Sequence, residues 1–232
     1  MKSPLVIAID GPAGAGKSTV ARKLAARLRL AYVDSGATYR AAALRVLEDG
    51  GSPDEVASVI ASIAGARIGL ETGPPQLRVI LDGKDVTEEI RSPEVTLAAA
   101  KISRLPAVRK KLIALQRTMA RGRGVVMEGR DIGTVVFPDA PLKIFLTARP
   151  EERARRRLSE DAGTGRGTTL EQMAYEIGRR DQLDEERKIS PLVAASDAVS
   201  IDSTFLSADD VVNKILGLVK ERNLVACVSH ET

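Results

Sequence analysis

The run Gly11-Pro12-Ala13-Gly14-Ala15-Gly16-Lys17-Ser18-Thr19 satisfies the pattern GxxxxGK[ST], and each fixed position of that pattern has a physical task. Glycines let the backbone curl around a polyphosphate with amide N–H groups turned inward, and a helix starting at the lysine presents its positive end to the same anion. Lys17 is long enough to reach β- and γ-phosphates, and the Ser18 hydroxyl suits Mg²⁺. Residues Gly11 to Thr19 are therefore read as the binding segment for ATP as phosphoryl donor, with Mg²⁺ as its counter-ion. Such a loop does not by itself separate kinases from GTPases or mechanical ATPases. No Asn-Lys-x-Asp guanine-reading motif occurs, and 232 residues are few for the accessory elements of a large motor.

Further clusters combine cations with carboxylates. Asp34-Ser35-Gly36-Ala37-Thr38-Tyr39-Arg40 follows a short apolar run, which puts it at the C-terminal edge of a sheet, where open α/β sheets bind ligands. There Asp34 can hold a magnesium-bound water and Arg40 can clamp a phosphate; equally, Asp34 can cap a helix and leave surface polar groups behind it. Glu128-Gly129-Arg130-Asp131-Ile132-Gly133-Thr134 suits a pocket that grips an anion and accepts from an amino group, or else a self-satisfied Arg–Asp pair. In Arg149 to Arg157, which opens a helix ahead of a polar, Gly-rich stretch, Arg153 and Arg157 are candidates for a segment that closes over the donor. Phosphoryl transfer needs cations and water exclusion together, although a solvated basic helix face is the competing reading. Arg180, Asp184 and Arg187 recur at spacings of four and three and share one helical face.

The elements that must hold these side chains are legible. Leu5-Val6-Ile7-Ala8-Ile9 is a branched apolar run ended by Asp10-Gly11, as in a buried parallel strand, and Val20, Leu24 and Leu28 make an apolar stripe on a helix over Lys17 to Leu30. Short runs at Ala31–Val33, Val125–Met127, Lys143–Leu146 and Ala198–Ile201 alternate with helix-length segments, which implies a doubly wound α/β layer. Ser207 with Asp210 three residues on signals the closing helix, carrying Val211, Ile215, Leu218 and Val219 on one face. One stretch breaks the rhythm: Ala66–Leu70, Gln76–Leu81, Asp82-Gly83 and Lys84–Val86 read as a small antiparallel hairpin insertion. Helices are expected on either side of it, from Ser52-Pro53 and from Ser92-Pro93.

Hydrophobic residues make up 44% and charged residues 28% of the chain, an ordinary globular balance. A net charge of +4 fits anionic partners. With aromatics at 3% and no Trp, stacking platforms for nucleic acid are few, so small phosphorylated ligands are favoured over RNA or DNA. No apolar run approaches bilayer length and the N-terminus has no cleavable signal pattern, so a cytoplasmic, monomeric enzyme with no membrane partner is expected. The single cysteine, Cys227, and the single histidine, His230, sit in a tail segment and are given no chemical role.

Taken together, GPAGAGKST, DSGATYR, EGRDIGTVVFPDAPLKIFL and RRDQLDEERKISPL with SDAVSIDST resemble the bacterial cytidylate kinase family, in this order and over nearly the whole chain. The resemblance implies the P-loop nucleoside-monophosphate kinase fold, α/β with a doubly wound five-stranded parallel sheet. It further implies one domain: a core of residues 1–46, 122–150 and 170–232, an acceptor-binding insertion at 47–121 and a lid at 151–169. The implied reaction is in-line transfer from Mg·ATP to CMP or dCMP. By resemblance Arg40 and Arg130 hold the acceptor phosphate, Ser35, Arg109, Asp131 and Arg187 surround cytosine, Arg180 and Asp184 address the ribose, and Tyr39 lines the same pocket. Lys17, Arg130, Arg153 and Arg157 are the implied catalytic cations, with Ser18 on the metal and Asp34 reaching it through water. This chain departs from many relatives at Ala100, where a serine contacts the base and here Ser103 is nearby, and at Glu128, where Asp is common. The rivals are another small-molecule P-loop kinase, acting on UMP or a cofactor precursor, and a nucleotide-gated RNA-binding module without catalysis.

Overall fold

The computed structural model describes residues 4–72, 77–161, 167–187 and 189–224. The chain runs β1 (Val6–Asp10), α1 (Lys17–Leu28), β2 (Ala31–Asp34), α2 (Ser35–Glu48), α3 (Val56–Gly65), β3 (Ile68–Thr72), β4 (Leu77–Leu81) and β5 (Lys84–Asp85). It continues through α4 (Pro93–Ile102), α5 (Pro106–Met119), β6 (Val125–Gly129), β7 (Leu142–Thr147), α6 (Pro150–Asp161), α7 (Leu170–Glu185), β8 (Val199–Asp202) and α8 (Ala208–Glu221). Two sheets form: a five-stranded one in the order β2-β6-β1-β7-β8 and a three-stranded one in the order β3-β4-β5. Two compact units result, residues 1–30 with 122–232, and residues 31–121.

In the first unit β1 is central, paired in parallel with β6 (Asp10 opposite Gly129) and with β7 (Asp10 opposite Phe145). Strands buried on both faces read as unbroken apolar runs, and Ile7, Ala8 and Ile9 have no exposed surface at all. Because β1 and β6 end level and point the same way, the loops that begin at Gly11 and Arg130 leave one sheet edge together. The α1 stripe of Val20 and Leu24 is buried as the periodicity requires, and the helix stops at Leu28, two residues short of expectation. Arg29 there adopts a left-handed φ of 53° and its N–H closes onto Ala25 and Ala26 carbonyls, which terminates the helix.

The second unit has its own core, in which Ala41, Val46, Ile90, Ile102, Val108 and Leu112 are buried together. Its antiparallel sheet contains the expected hairpin: Asp82 and Gly83 both take positive φ, 52° and 93°, as a two-residue turn between twisted strands demands. Ser92 caps α4 through Val95 N–H with Pro93 in the first turn, as anticipated. The helix expected from Ser52-Pro53 begins only at Val56. Ser52 Oγ accepts from Asp54 N–H at 3.3 Å, closing a local turn instead of capping a helix. Among the described residues no helix is long and apolar enough to cross a membrane. Cys227 and His230 lie outside the described residues.

The closing helix α8 carries a complete capping box, Ser207 accepting from Asp210 N–H and Asp210 from Ser207 N–H. Ser207→Ala should lower stability by about 1 kcal/mol while leaving ligand binding unchanged, read from urea unfolding alongside nucleotide titration.

Candidate functional site

The loop from Gly11 to Gly16 has the curled backbone its sequence anticipates, with positive φ at Gly11 (146°), Gly14 (73°) and Gly16 (88°). Steric demand at Gly11 is absolute, since a Cβ there would stand 2.0 Å from the Leu146 carbonyl oxygen. Gly16 serves as the N-cap of α1 with no side chain accepting from the first turn and no acidic residue in it. By contrast α4, α7 and α8 each begin with a hydroxyl that takes a first-turn N–H. Helices α3 and α5 also start without a side-chain cap; what sets α1 apart is the glycine-curled loop ahead of it, the arrangement an anion site uses.

Lys17 is almost fully buried, and its Nζ donates to the Pro12 carbonyl at 2.7 Å. Burial, followed by the charge of Arg130, pushes its pKa down to about 7, with Arg180 adding to the effect against Glu128 and Asp10. Asp10, at the end of β1, accepts from Ile132 N–H at 2.8 Å and Gly133 N–H at 2.7 Å. Burial raises its pKa to about 6 against those two hydrogen bonds. This carboxylate pins the π-helical turn Ile132–Val136 to the first strand. Sequence marks Asp10 only as a strand end, and a charged residue closing an apolar strand is the signal for its role.

Around Arg130 the described residues form a charged cluster within the first unit. Arg130 Nε donates to one Asp184 oxygen at 2.9 Å and Arg187 to the other, and Asp184 is buried. Arg130 thus pairs with Asp184 on α7, and Asp131, itself buried, stands at the start of the π-helical turn. Arg180 is on the exposed face of α7, and Arg187 lies past the end of that helix, so of the expected three-residue face only Arg180 and Asp184 are helical. Arg187 still reaches Asp184 across three positions.

In the second unit Asp34 caps α2 by accepting from Ala37 N–H at 3.1 Å and pairs with Arg40 at 2.8 Å. Burial opposes ionisation of Asp34, but the Arg40 guanidinium and the Ala37 and Gly36 N–H groups outweigh it and hold the carboxyl below its ordinary range. Ser35 is buried, its carbonyl accepting from the Thr38 hydroxyl at 2.7 Å, and Gln116 in turn donates to that hydroxyl at 2.9 Å. Arg109, buried, sits over the Tyr39 ring at 5.8 Å and donates to the Ser103 carbonyl at 3.4 Å. Ser103 Oγ donates to Ala100 O, one turn back in the chain.

The arginines of α6 behave differently from one another. Arg157 pairs with Glu160 on the exposed side at 3.0 Å. Arg153 is buried and turned onto the phosphate loop: its guanidinium donates to Ala13 O at 3.1 Å and to Ala148 O at 3.1 Å and pairs with Asp181. Arg156 and Ser203, neither singled out from sequence, hold the Ala15 carbonyl at 3.4 and 3.2 Å. Asp181 is likewise not distinguished by any local motif. Its signal was periodicity, because the buried stripe of Met173 and Ile177 continues into Asp181 and Asp184.

With this geometry in view, known proteins resolve its kinship. The family model for cytidylate kinase matches residues 7–221. The chain belongs to the cytidylate kinase family. A cytidylate kinase of Pelotomaculum thermopropionicum is 53% identical over 214 residues, covering 92% of this chain and 95% of its own. One of Geobacillus kaustophilus is 47% identical, covering 96% and 99%. Among solved structures, an uncharacterized protein from Eubacterium ventriosum superposes with a TM-score of 0.50 at 12% identity, covering 93% of this chain and 98% of its own, a likeness of fold alone.

No group of three or more His, Cys, Asp or Glu that could hold a metal occurs among the described residues. Ser18, with a hydroxyl of the kind that ligates Mg²⁺, is half-buried at the start of α1.

Asp10 yields a test of these electrostatics. Its folded pKa of about 6 exceeds the ordinary 3.8, so its contribution to stability is complete below the ordinary value and lost as pH rises through 6. The stability of Asp10→Asn relative to the parent should therefore rise between pH 4 and pH 7, followed by denaturant titration; a constant difference would mean that Asp10 titrates normally.

Proposed function

We propose that the protein transfers the γ-phosphate of ATP to CMP or dCMP, giving ADP and the cytidine diphosphate. The carrying observation is the glycine-curled loop ahead of an uncapped helix, with the buried Lys17 beside Arg130, in a chain of the cytidylate kinase family. An oxygen of the acceptor phosphate attacks the γ-phosphorus as its bond to the β,γ-bridging oxygen breaks, so ADP leaves on the opposite side and no covalent enzyme intermediate is needed. The work of the protein is alignment and neutralisation. Amides 14–19 and Lys17 receive the donor phosphates, Arg130 and Arg157 offset the charge that builds on the migrating group, and Arg153, whose guanidinium is turned onto the loop backbone, supports that loop instead. Mg²⁺, where bound, would be held by Ser18 and through water by Asp34, and would supply positive charge against the donor phosphates.

For the acceptor, Arg40 and Arg130 are assigned to its phosphate, Arg180 and Asp184 to the ribose, and Ser35, Tyr39, Arg109, Asp131 and Arg187 to cytosine. Asp131 supplies the selectivity. Cytosine carries an amino donor where uracil carries a carbonyl acceptor, so a buried carboxylate bonds the first and repels the second. The same reading has the chain act as a cytoplasmic monomer on free nucleotides.

An acceptor panel scored by ADP release should rank CMP and dCMP above UMP, and a preference for UMP would defeat the assignment. Asp131→Asn, whose amide can donate to a carbonyl, should raise the UMP-to-CMP ratio of kcat/KM about tenfold or more. Lys17→Met should reduce turnover about 10²–10³-fold with unchanged melting behaviour. Because the Lys17 pKa is about 7 before nucleotide binds and a polyphosphate raises it, ATP binding at pH 8.5 should take up about one proton. Calorimetry in buffers of different ionisation enthalpy measures this, and Lys17→Met should abolish it.

A further inference from the structure

The phosphate loop is gripped at one peptide segment by two buried, oppositely charged side chains from α6 and α7. Asp181 Oδ1 accepts the Ala13 N–H at 3.2 Å, Arg153 Nη1 donates to the Ala13 carbonyl at 3.1 Å, and Arg153 and Asp181 are themselves paired. Both are nearly out of water, at 8% and 7% exposure. The Ala13 methyl packs in the same place, against the small cluster of Ala154, Met173 and Ile177 that α6 and α7 share. Gly14 follows so closely that a Cβ on it would stand 2.7 Å from the Arg153 carbonyl. Backbone donor, backbone acceptor and side chain of Ala13 are all taken up by one helix pair.

We infer that Arg153 and Asp181 are positioning residues for the donor phosphates, acting through Ala13 to fix the curvature of the loop. Ala13 is then the anchor of the cradle, and the amides that follow it face the anion. Three points support this. First, the Ala13 N–H points to a carboxylate, which no phosphate can share. Second, a lone carboxylate at this position would repel a polyphosphate, and Arg153 cancels that charge while adding a second hold on the same residue. Third, the loop can cradle phosphates only when its amides converge, and glycine-rich backbone does not hold such a shape unaided. An external clamp that removes the alternatives raises affinity by preorganisation. The pair also makes donor affinity depend on the packing of α6 against α7.

The inference rests on the reading of the loop as the ATP site, and the test separates the two. Parent enzyme that fails to bind ATP at all would refute that reading; parent enzyme that binds ATP normally leaves the clamp to be judged on variants. Asp181→Asn keeps the shape but removes the charge, and it should raise the Kd and KM for ATP about tenfold, equivalent to about 1.4 kcal/mol, with the acceptor KM unchanged. Arg153→Met should do the same, and the double variant should be no worse than either single one, because each singly breaks the same clamp. Arg153→Lys, which keeps the charge without the fork, should restore part of the ATP affinity. Equal rises in both KM values, full additivity, or unchanged ATP affinity would overturn the assignment. Should the variants unfold, amide exchange in the parent protein decides: the Ala13 N–H should exchange far more slowly than loop amides facing solvent, and fast exchange would overturn the clamp.

Discussion

A lysine ammonium almost removed from water, with guanidinium charge close by, is the constraint on which the remaining architecture depends. Desolvation and the charge of Arg130 both disfavour its proton, and Glu128 and Asp10 offset this only in part, so the site holds positive potential at an energetic cost that a bound polyanion would reduce. Carboxylates cannot simply neutralise the cations, since that would cancel the attraction. They are instead placed where each does a second job. Asp184 bridges Arg130 and Arg187, and Asp10 ties the π-helical turn to β1 through two backbone N–H groups.

Helix α1 has no side-chain cap, and apart from the Ala13 N–H, which Asp181 takes, it is the carbonyls of the loop that side chains hold. Carbonyls of Pro12, Ala13 and Ala15 accept from Lys17, Arg153 and Arg156 respectively. Turning a carbonyl outward to a cation turns neighbouring amides inward, so the basic character of α6 is explained as much by support of the loop backbone as by contact with a substrate.

The parallel sheet, the central strand, the α1 stripe, the hairpin at Asp82-Gly83 and the α8 cap were legible because each is a local rule: an apolar period, a turn requiring positive φ, a hydroxyl three residues ahead of a carboxylate. The same holds for Lys17 and Ser18, whose motif is contiguous. What could not be read was partner choice across the chain. Nothing local says that Arg153 answers Asp181, 28 positions on, or that Asp10 caps backbone 122 and 123 positions away. Ser52 failed for another reason: two competing uses of one hydroxyl lie within two residues of each other, and the tighter turn prevailed.

The contact of Gly11 with Leu146 has a mechanical meaning. A backbone seated against the β7 carbonyl, with no space even for a methyl group, prevents β1 and β7 from sliding past one another. The sheet behind the phosphate loop is thereby a fixed abutment.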